Sequence, residues 1–186
     1  MKKPTLLAVA IVFTFAAAAL AQKQPPSGTA TDVTNADLQA ALKKTASARV
    51  SDQQLRVVDV DGEYNVAVGI LHRAKTDSRP SGALTHEKIT EVYQIISGNG
   101  TLVTGGSLVN PKESPADSEI VKVLAGPSIT GSSIQGGVSR KVGPGDIIVI
   151  PPNTPHGFSE ITSDQIIYSV VRMDSHKVLP AGYVAK

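Results

Sequence analysis

The stretch that decides the fold is Gly145-Asp-Ile-Ile-Val-Ile-Pro-Pro-Asn-Thr-Pro-His156. Its apolar run Ile147–Ile150 is short and β-branched, which predicts a buried strand. The two prolines and the asparagine that follow predict a tight corner, because proline fixes φ and lacks an amide donor. His156 then stands at the mouth of the next strand, where a rigid corner suits a histidine to ligate a metal ion.

Short strands are predicted on both sides of this stretch. Asp61-Gly62 is a strong hairpin signal. The predicted strands cover residues 55–60, 64–72, 84–97, 101–109, 138–142, 147–150, 156–161 and 165–172. Residues 110–135 are polar and rich in turn-forming residues, so we expect a long functional or disordered loop there, with one short strand at Ile120–Leu124. This pattern predicts an all-β sandwich or barrel.

One short helix is predicted before the strands, over residues 35–46. Thr34 or Asn35 can cap it, and Leu38 and Leu42 give it a single apolar side that would pack on a sheet.

The N-terminus predicts export. Lys2 and Lys3 precede an apolar run and the small-x-small site Ala19-Leu20-Ala21, so residues 1–21 are interpreted as a signal peptide and the location as periplasmic or secreted. The alternative is a membrane anchor, but the apolar run is shorter than the ~20 residues that a span needs. Residues 22–33 are interpreted as a flexible linker, and residues 34–186 as a single domain.

Composition narrows the classes of function. Residues 1–21 contain two lysines and no acid, so 16 basic and 16 acidic side chains remain after processing. This balance provides no excess of positive charge for binding nucleic acid or an anionic membrane surface. We also expect no stable membrane insertion after processing. The chain has no cysteine, which excludes disulfides and thiolate metal sites.

Two stretches, residues 84–98 and 145–160, together resemble the motifs of the cupin superfamily. In the first, Glu91 and Gly98 have the motif spacing and His86 precedes Glu91 as the second motif histidine does. In the second, Gly145, Pro151 and His156 match, while Asn153 replaces a glycine, which is tolerable because asparagine also accepts αL geometry. The resemblance implies a double-stranded β-helix, a small jelly-roll barrel with a metal ion inside.

The resemblance also implies the ligands, namely His86, Glu91 and His156. The motif's opening glycine falls on Ser78, and its first histidine falls on Leu84, which cannot bind a metal. Three ligands of the 2-His-1-carboxylate kind suffice for an open iron(II) site. Manganese and zinc remain open as well, so the predicted cofactor is a divalent ion of unspecified identity. The alternative is a cupin that has lost its metal and keeps a polar network.

His72 is a candidate for the ligand missing at Leu84. If the turn after its strand centres near Arg79, His72 lies opposite His86, and cross-strand partners share a face. The alternative is a histidine at a strand end that hydrogen-bonds a loop.

Other side chains are assigned from strand alternation. Tyr93, two residues beyond Glu91, should face the same cavity and either donate a proton or form its wall. Phe158 is interpreted as lining. Tyr168 and Arg172 share a face, and Arg172 either clamps a carboxylate or is solvated at a strand end. Glu87 should face solvent.

Two classes of function stay open. One is a metal-dependent enzyme for a small organic molecule, of dioxygenase, isomerase or decarboxylase type, with the metal as Lewis acid or O2 site. The other is a module that binds a ligand or metal without turnover. Carbohydrate binding is disfavoured because the chain has no tryptophan. A homodimer is expected from the resemblance alone.

Overall fold

The computed structural model describes residues 29–76 and 80–185. In these ranges the helix is α1 (Asn35–Lys44), and the strands are β1 (Val50–Val60), β2 (Tyr64–Ala74), β3 (Ala83–His86), β4 (Thr90–Ser97), β5 (Gly100–Thr104), β6 (Ser107–Val109), β7 (Lys112–Glu113), β8 (Ser128–Gly131), β9 (Ser133–Gln135), β10 (Val138–Val142), β11 (Ile147–Ile150), β12 (His156–Ile161) and β13 (Gln165–Asp174). The predicted all-β class with one short helix is confirmed.

The strands form two main antiparallel sheets. One has the order β1-β2-β13-β4-β11 and the other the order β10-β5-β12-β3-β8-β7, while β6 and β9 pair separately. The double-stranded β-helix is confirmed as the fold. The predicted barrel closure is wrong, because no strand of the first sheet pairs with a strand of the second in the described ranges. The two sheets are therefore joined by packing, by connections and by isolated hydrogen bonds, such as those between Thr76, just after β2, and Ile161 on β12.

The main core lies between the two sheets. The five-stranded sheet contributes residues such as Tyr93, Tyr168 and Val170, and the six-stranded sheet contributes Leu102 and Phe158. On the outer face of the five-stranded sheet, α1 packs Leu38 and Leu42 against a separate cluster that includes Leu55 and Ile70. The apolar side predicted for the helix is thus used as expected.

Local signals explain where several elements begin and end. The hydroxyl of Thr34 accepts from the amide of Asp37, whose carboxylate accepts from the Thr34 amide, so a capping box opens α1. Asp61 and Gly62 have φ of 52° and 75°, the left-handed geometry that a tight hairpin needs. The predicted pairing of the strands on either side of them is confirmed.

Two strands predicted as continuous are interrupted. Residues 84–97 divide into β3 and β4, which belong to different sheets, and residues 101–109 divide at Gly105 and Gly106, which both have positive φ. The stretch Ile120–Leu124, predicted as a strand, is a single π-helical turn. The surrounding segment 110–135 is ordered in the structure and forms three short strands that extend or cover the six-stranded sheet.

The predicted signal peptide and residues 22–28 of the predicted linker lie outside the described residues, and residues 29–33 contain no helix or strand. In the described ranges, no helix has the length and apolar character to cross a membrane.

Candidate metal centre

The two sheets bring three of the predicted ligands together in the interior. His86 ends β3 and His156 begins β12, both in the six-stranded sheet, while Glu91 lies on β4 of the five-stranded sheet. Oε2 of Glu91 is 3.5 Å from Nε2 of His86 and 3.2 Å from Nε2 of His156. All three side chains are buried, with at most 4% of each exposed.

The break between β3 and β4 is what lets His86 and Glu91 meet. Residues five apart in one regular strand face opposite sides of a sheet. Here the chain crosses from one sheet to the other at residues 87–89, where Glu87 is exposed, as predicted, and Ile89 is buried in a small core of its own. Both side chains therefore point into the space between the sheets.

The corner that follows β11 anchors the other histidine. Asn153 has φ of 59°, so the predicted left-handed geometry of this residue is confirmed. Its amide donates to the carbonyl of His86 at 2.7 Å, which ties the two motif stretches together. His156 follows this corner directly, and its backbone pairs with Leu84 of β3 and Thr104 of β5.

Hydrogen bonds fix the ring of His86. Its Nδ1 is 2.8 Å from the hydroxyl of Ser128 on β8, and that hydroxyl donates its own hydrogen to the carbonyl of Gly126. The serine oxygen can therefore only accept from Nδ1–H. Burial lowers the pKa of His86, against the opposing effect of the Glu91 carboxylate, which favours the neutral ring. In the neutral ring, the Nε2 lone pair of His86 faces Glu91.

His156 is fixed in the same tautomer by a different partner. Its Nδ1 is 2.9 Å from the carbonyl oxygen of Thr154, an acceptor only, so Nδ1 carries the hydrogen. Its Nε2 is completely buried and forms no hydrogen bond, since the 3.2 Å approach to Glu91 lacks hydrogen-bond geometry. A buried nitrogen without a partner is the kind of exception that calls for an explanation such as a bound ion.

Glu91 is held by two further side chains. Arg172 donates from Nε to Oε1 at 2.9 Å, and the hydroxyl of Tyr93 donates to Oε2 at 2.8 Å. Tyr93 thus faces the interior, as predicted. Burial opposes ionisation of Glu91, but the neighbouring His86 and Arg172 hold its pKa well below the ordinary range. Of these two groups, Arg172 carries a permanent charge, so it favours the ionised carboxylate whatever the state of the His86 ring.

Arg172 is itself part of a buried network. Besides Glu91 it donates to Gln54 at 2.7 Å and to the partly exposed carboxylate of Asp52. Gly69 leaves room for the guanidinium, since a Cβ there would lie 3.3 Å from Nη1 of Arg172. Of the two interpretations offered for Arg172, the solvated one is wrong and the carboxylate clamp is confirmed, with a carboxylate of the site itself as the partner.

His72 does not join this group. It pairs with Ser51 and Ile167 within the five-stranded sheet, and β2 does not pair with β3, so the predicted register opposite His86 is wrong. Its side chain shares a face with Ile70, which packs in the helix layer on the far side of the sheet. Its Nε2 is 2.7 Å from the carbonyl of Ala48. The alternative interpretation, a histidine that hydrogen-bonds a loop, fits this position.

The three remaining side chains fit a divalent ion. Their ligand atoms all lie within 4.8 Å of one another. With metal–ligand bonds of ~2.1 Å, neighbouring ligand atoms of a tetrahedral or octahedral site are ~3.0–3.4 Å apart, close to the two distances measured from Glu91. Two neutral imidazoles and a carboxylate suit zinc, iron and related ions. The metal-ligand roles themselves remain predictions.

Several supporting residues could not be identified from the sequence. Ser128 lies in the segment predicted to be a loop, and neither Asp52 nor Gln54 stands in a motif. A usable signal existed for Arg172 alone: it shares strand alternation with Ile166, Tyr168 and Val170, all of which are core residues. A charged residue in register with a core face predicts a buried ion pair. Phe158 lines the interior, as predicted.

Comparisons with known proteins give likeness in structure only. No family model and no curated protein matches the chain. An oxalate oxidase in complex with glycolate is similar with 17% identity and a TM-score of 0.48, over 82% of this chain and 65% of that one.

Two further structures are similar over a smaller part of this chain. One is the DMSP lyase DddQ from Ruegeria pomeroyi, with 15% identity and a TM-score of 0.42; the likeness covers 70% of this chain and 50% of that one, so the chain spans about half the length of the lyase. The other is an uncharacterised protein with a double-stranded β-helix domain from Klebsiella pneumoniae, with 15% identity and a TM-score of 0.39, over 67% of this chain and 79% of that one. At this level of identity the likeness concerns the fold alone.

Proposed function

We propose that this chain, a member of the cupin superfamily by its fold, binds a divalent metal ion through His86, Glu91 and His156. The bound ion would serve as a Lewis acid or redox centre for a small organic molecule, as in enzymes of dioxygenase, isomerase or decarboxylase type. The identity of the ion stays open among iron, manganese and zinc.

The observation that carries the proposal is the direction of the ring lone pairs. Both Nδ1 atoms give their hydrogens to fixed oxygens, so in the neutral rings both Nε2 lone pairs face the same carboxylate oxygen. Three electron-rich atoms facing one another in a buried space repel unless a proton or a metal ion lies between them. Second partners on the far nitrogens are also the usual arrangement for histidines that ligate metals.

The other residues of the site have defined tasks. Arg172 occupies Oε1 of Glu91 and leaves Oε2 to face the two rings. Tyr93 places its hydroxyl on the same oxygen, and burial together with Glu91 raises its pKa well above the ordinary value. It therefore stays protonated; its single hydrogen goes to Glu91, and its oxygen can accept a hydrogen bond from a molecule in the interior. Three protein ligands leave further coordination positions free.

The test is metal binding by matched variants. The purified protein is analysed for bound metal, stripped with chelator and titrated with Mn²⁺, Fe²⁺ and Zn²⁺ by calorimetry, alongside His156→Ala, Glu91→Gln and the exposed control His176→Ala. We expect one equivalent of tight binding in the wild type and the control, and a loss of at least roughly a hundredfold in the two site variants. Equal affinity in all four proteins would refute the proposal.

Catalysis requires its own measurement. The metal-loaded protein is assayed for O2 uptake and product formation with small phenols, keto acids and sugars, and Tyr93→Phe is compared with the wild type for each substrate that is turned over. A lower kcat at unchanged metal content assigns Tyr93 to the reaction. A protein that binds metal and substrate analogues but turns nothing over is a binding module.

A second candidate is a metal-free polar network that stabilises the fold. It is favoured by one observation: Arg172 and Tyr93 already satisfy both oxygens of Glu91 without an ion. In that case the purified protein contains no stoichiometric metal, and chelator leaves its melting temperature unchanged.

We also propose export, with cleavage after Ala21, and assembly as a homodimer. The positively charged start, apolar run and Ala19-Leu20-Ala21 support export. N-terminal sequencing of the exported protein should begin at Gln22, and sedimentation should give twice the mass of the processed chain. Retention in the membrane would favour the anchor instead.

A further inference from the structure

Besides Arg172, a second arginine is buried in the structure, away from His86, Glu91 and His156. Arg73 stands near the end of β2 with only 8% of its surface exposed, and it shares the interior face with Leu71 two residues before it. Its backbone pairs with Ile166 on β13, whereas Glu91 pairs with Arg172 on the same strand. Six residues of strand, ~20 Å, separate the two pairing positions.

The side chains that contact Arg73 directly are neutral, although Asp52, which does not contact it, helps to raise its pKa. Its Nε donates to the hydroxyl of Tyr168 at 2.8 Å and its Nη1 to the hydroxyl of Ser81 at 3.4 Å, and its guanidinium carbon lies 5.9 Å from the centre of the Phe158 ring. Burial raises the pKa of Tyr168 despite the nearby guanidinium, so the phenol stays neutral and does not balance the charge.

Arg172 is a buried arginine of the same chain that does have internal counter-ions, and it serves as a comparison for Arg73. Arg172 contacts two carboxylates, those of Glu91 and Asp52. Arg73 forms no ion pair with any residue in the ranges 29–76 and 80–185. Of its five N–H groups, two have partners there and three have none. An arginine cannot shed its proton to escape burial, and a buried guanidinium that no carboxylate contacts is costly.

We propose that Arg73, with Tyr168 and Ser81, binds the carboxylate group of a small organic anion at this end of the interior. A guanidinium fork matches the two oxygens of a carboxylate. The two hydroxyls hold the fork in place by accepting from Nε and Nη1, which leaves the other edge of the guanidinium for the anion. The Phe158 ring stabilises the cation from its face. None of these residues is a proposed metal ligand, and the proposal does not depend on a bound metal.

The experiment follows the guanidinium itself. Purified protein, stripped of metal, is titrated with acetate and with benzoate at constant ionic strength, with chloride as the reference anion. The ¹⁵N–¹H signal of the Arg73 Nε group is monitored by NMR and assigned by its absence in Arg73→Gln. Because no metal is present, the outcome is independent of the metal-binding test.

We expect saturable movement of the Arg73 signal in the wild type. Arg73→Lys retains the charge but loses the planar fork, so its affinity should fall by about tenfold; because it has no Nε signal, its affinity is measured by calorimetry. Tyr168→Phe should weaken binding several-fold. Arg140→Gln, an exposed arginine, serves as the control and should bind like the wild type.

The sequence places one acid, Asp77, four residues beyond Arg73 and outside the described residues. Asp77→Asn is therefore included to ask whether the chain supplies the counter-ion itself. Saturable binding in the wild type that is lost in Arg73→Gln supports the proposal. Binding that is unchanged in Arg73→Gln, or that appears only in Asp77→Asn, overturns it, as does the absence of any response in both the wild type and Asp77→Asn.

Discussion

Replacing Arg172 by methionine should destabilise the metal-free protein severely. Methionine fills a similar apolar volume, but Glu91, only 1% exposed, would lose its counter-charge, and Gln54 and Asp52 would lose their donor. Removing one partner of a buried ion pair costs about 3–5 kcal/mol. Since whole domains are stable by about 5–15 kcal/mol, the variant should unfold at a much lower urea concentration.

The assay is urea unfolding followed by circular dichroism, because the chain has no tryptophan. Arg140→Met is the control and should change the free energy of unfolding little. The cost of Arg172→Met should shrink by at least about 1.5 kcal/mol in a Glu91→Gln background, where only the partly exposed carboxylate of Asp52 is left unpaired. It should also shrink in the metal-loaded protein, because the ion supplies positive charge to Glu91.

Two outcomes would refute this reasoning about Arg172. One is a loss of less than about 1 kcal/mol for Arg172→Met, the usual size for a surface pair. The other is an equal loss with and without the Glu91 carboxylate, which would mean that packing and not charge accounts for the effect. Arg172→Lys, which keeps the charge, should retain part of the stability and guards against a variant that does not fold.

Three further predictions concern the supports of the site. Ser128→Ala should lower metal affinity about tenfold in calorimetry because it removes the partner of His86 Nδ1; unchanged affinity would show that the ring needs no such support. Gly69→Ala should reduce the free energy of urea unfolding by about 1–3 kcal/mol, since its Cβ would meet a backbone oxygen at 2.9 Å and crowd Arg172; a neutral effect would show that the strand can shift. Tyr93→Phe should cost about 1 kcal/mol in unfolding and change metal affinity less than tenfold, because Arg172 still holds Glu91; a complete loss of metal binding would contradict this.

Much of the fold was predictable because its signals are local. The hairpin at Asp61-Gly62, the cap at Thr34 and the strand Ile147–Ile150 with its corner each depend on a few neighbouring residues. The grouping of His86, Glu91 and His156 was predictable for a similar reason, because the motifs are defined by spacings along the chain.

The remainder depends on contacts between distant segments. Alternation within β2 correctly groups His72 with Ile70 on one face of the sheet. It cannot say whether that face meets the interior or the helix, and in the structure Ile70 packs on the helix side. A continuous strand through residues 84–97 was a reasonable prediction, yet the chain leaves one sheet and enters the other at residues 87–89. Ser128 reaches His86 only because β8 pairs with β3, a register that no local pattern sets.

The unclosed arrangement of the two sheets has a consequence for how the cation would be gripped. Both imidazoles belong to one sheet and the carboxylate to the other. The distances between Glu91 and the two rings therefore depend on the spacing of the two sheets, which no strand pairing fixes. A cation bound there would cross-link the two sheets. Mild denaturant that lets the layers slide apart should therefore release the ion before either sheet loses its own structure.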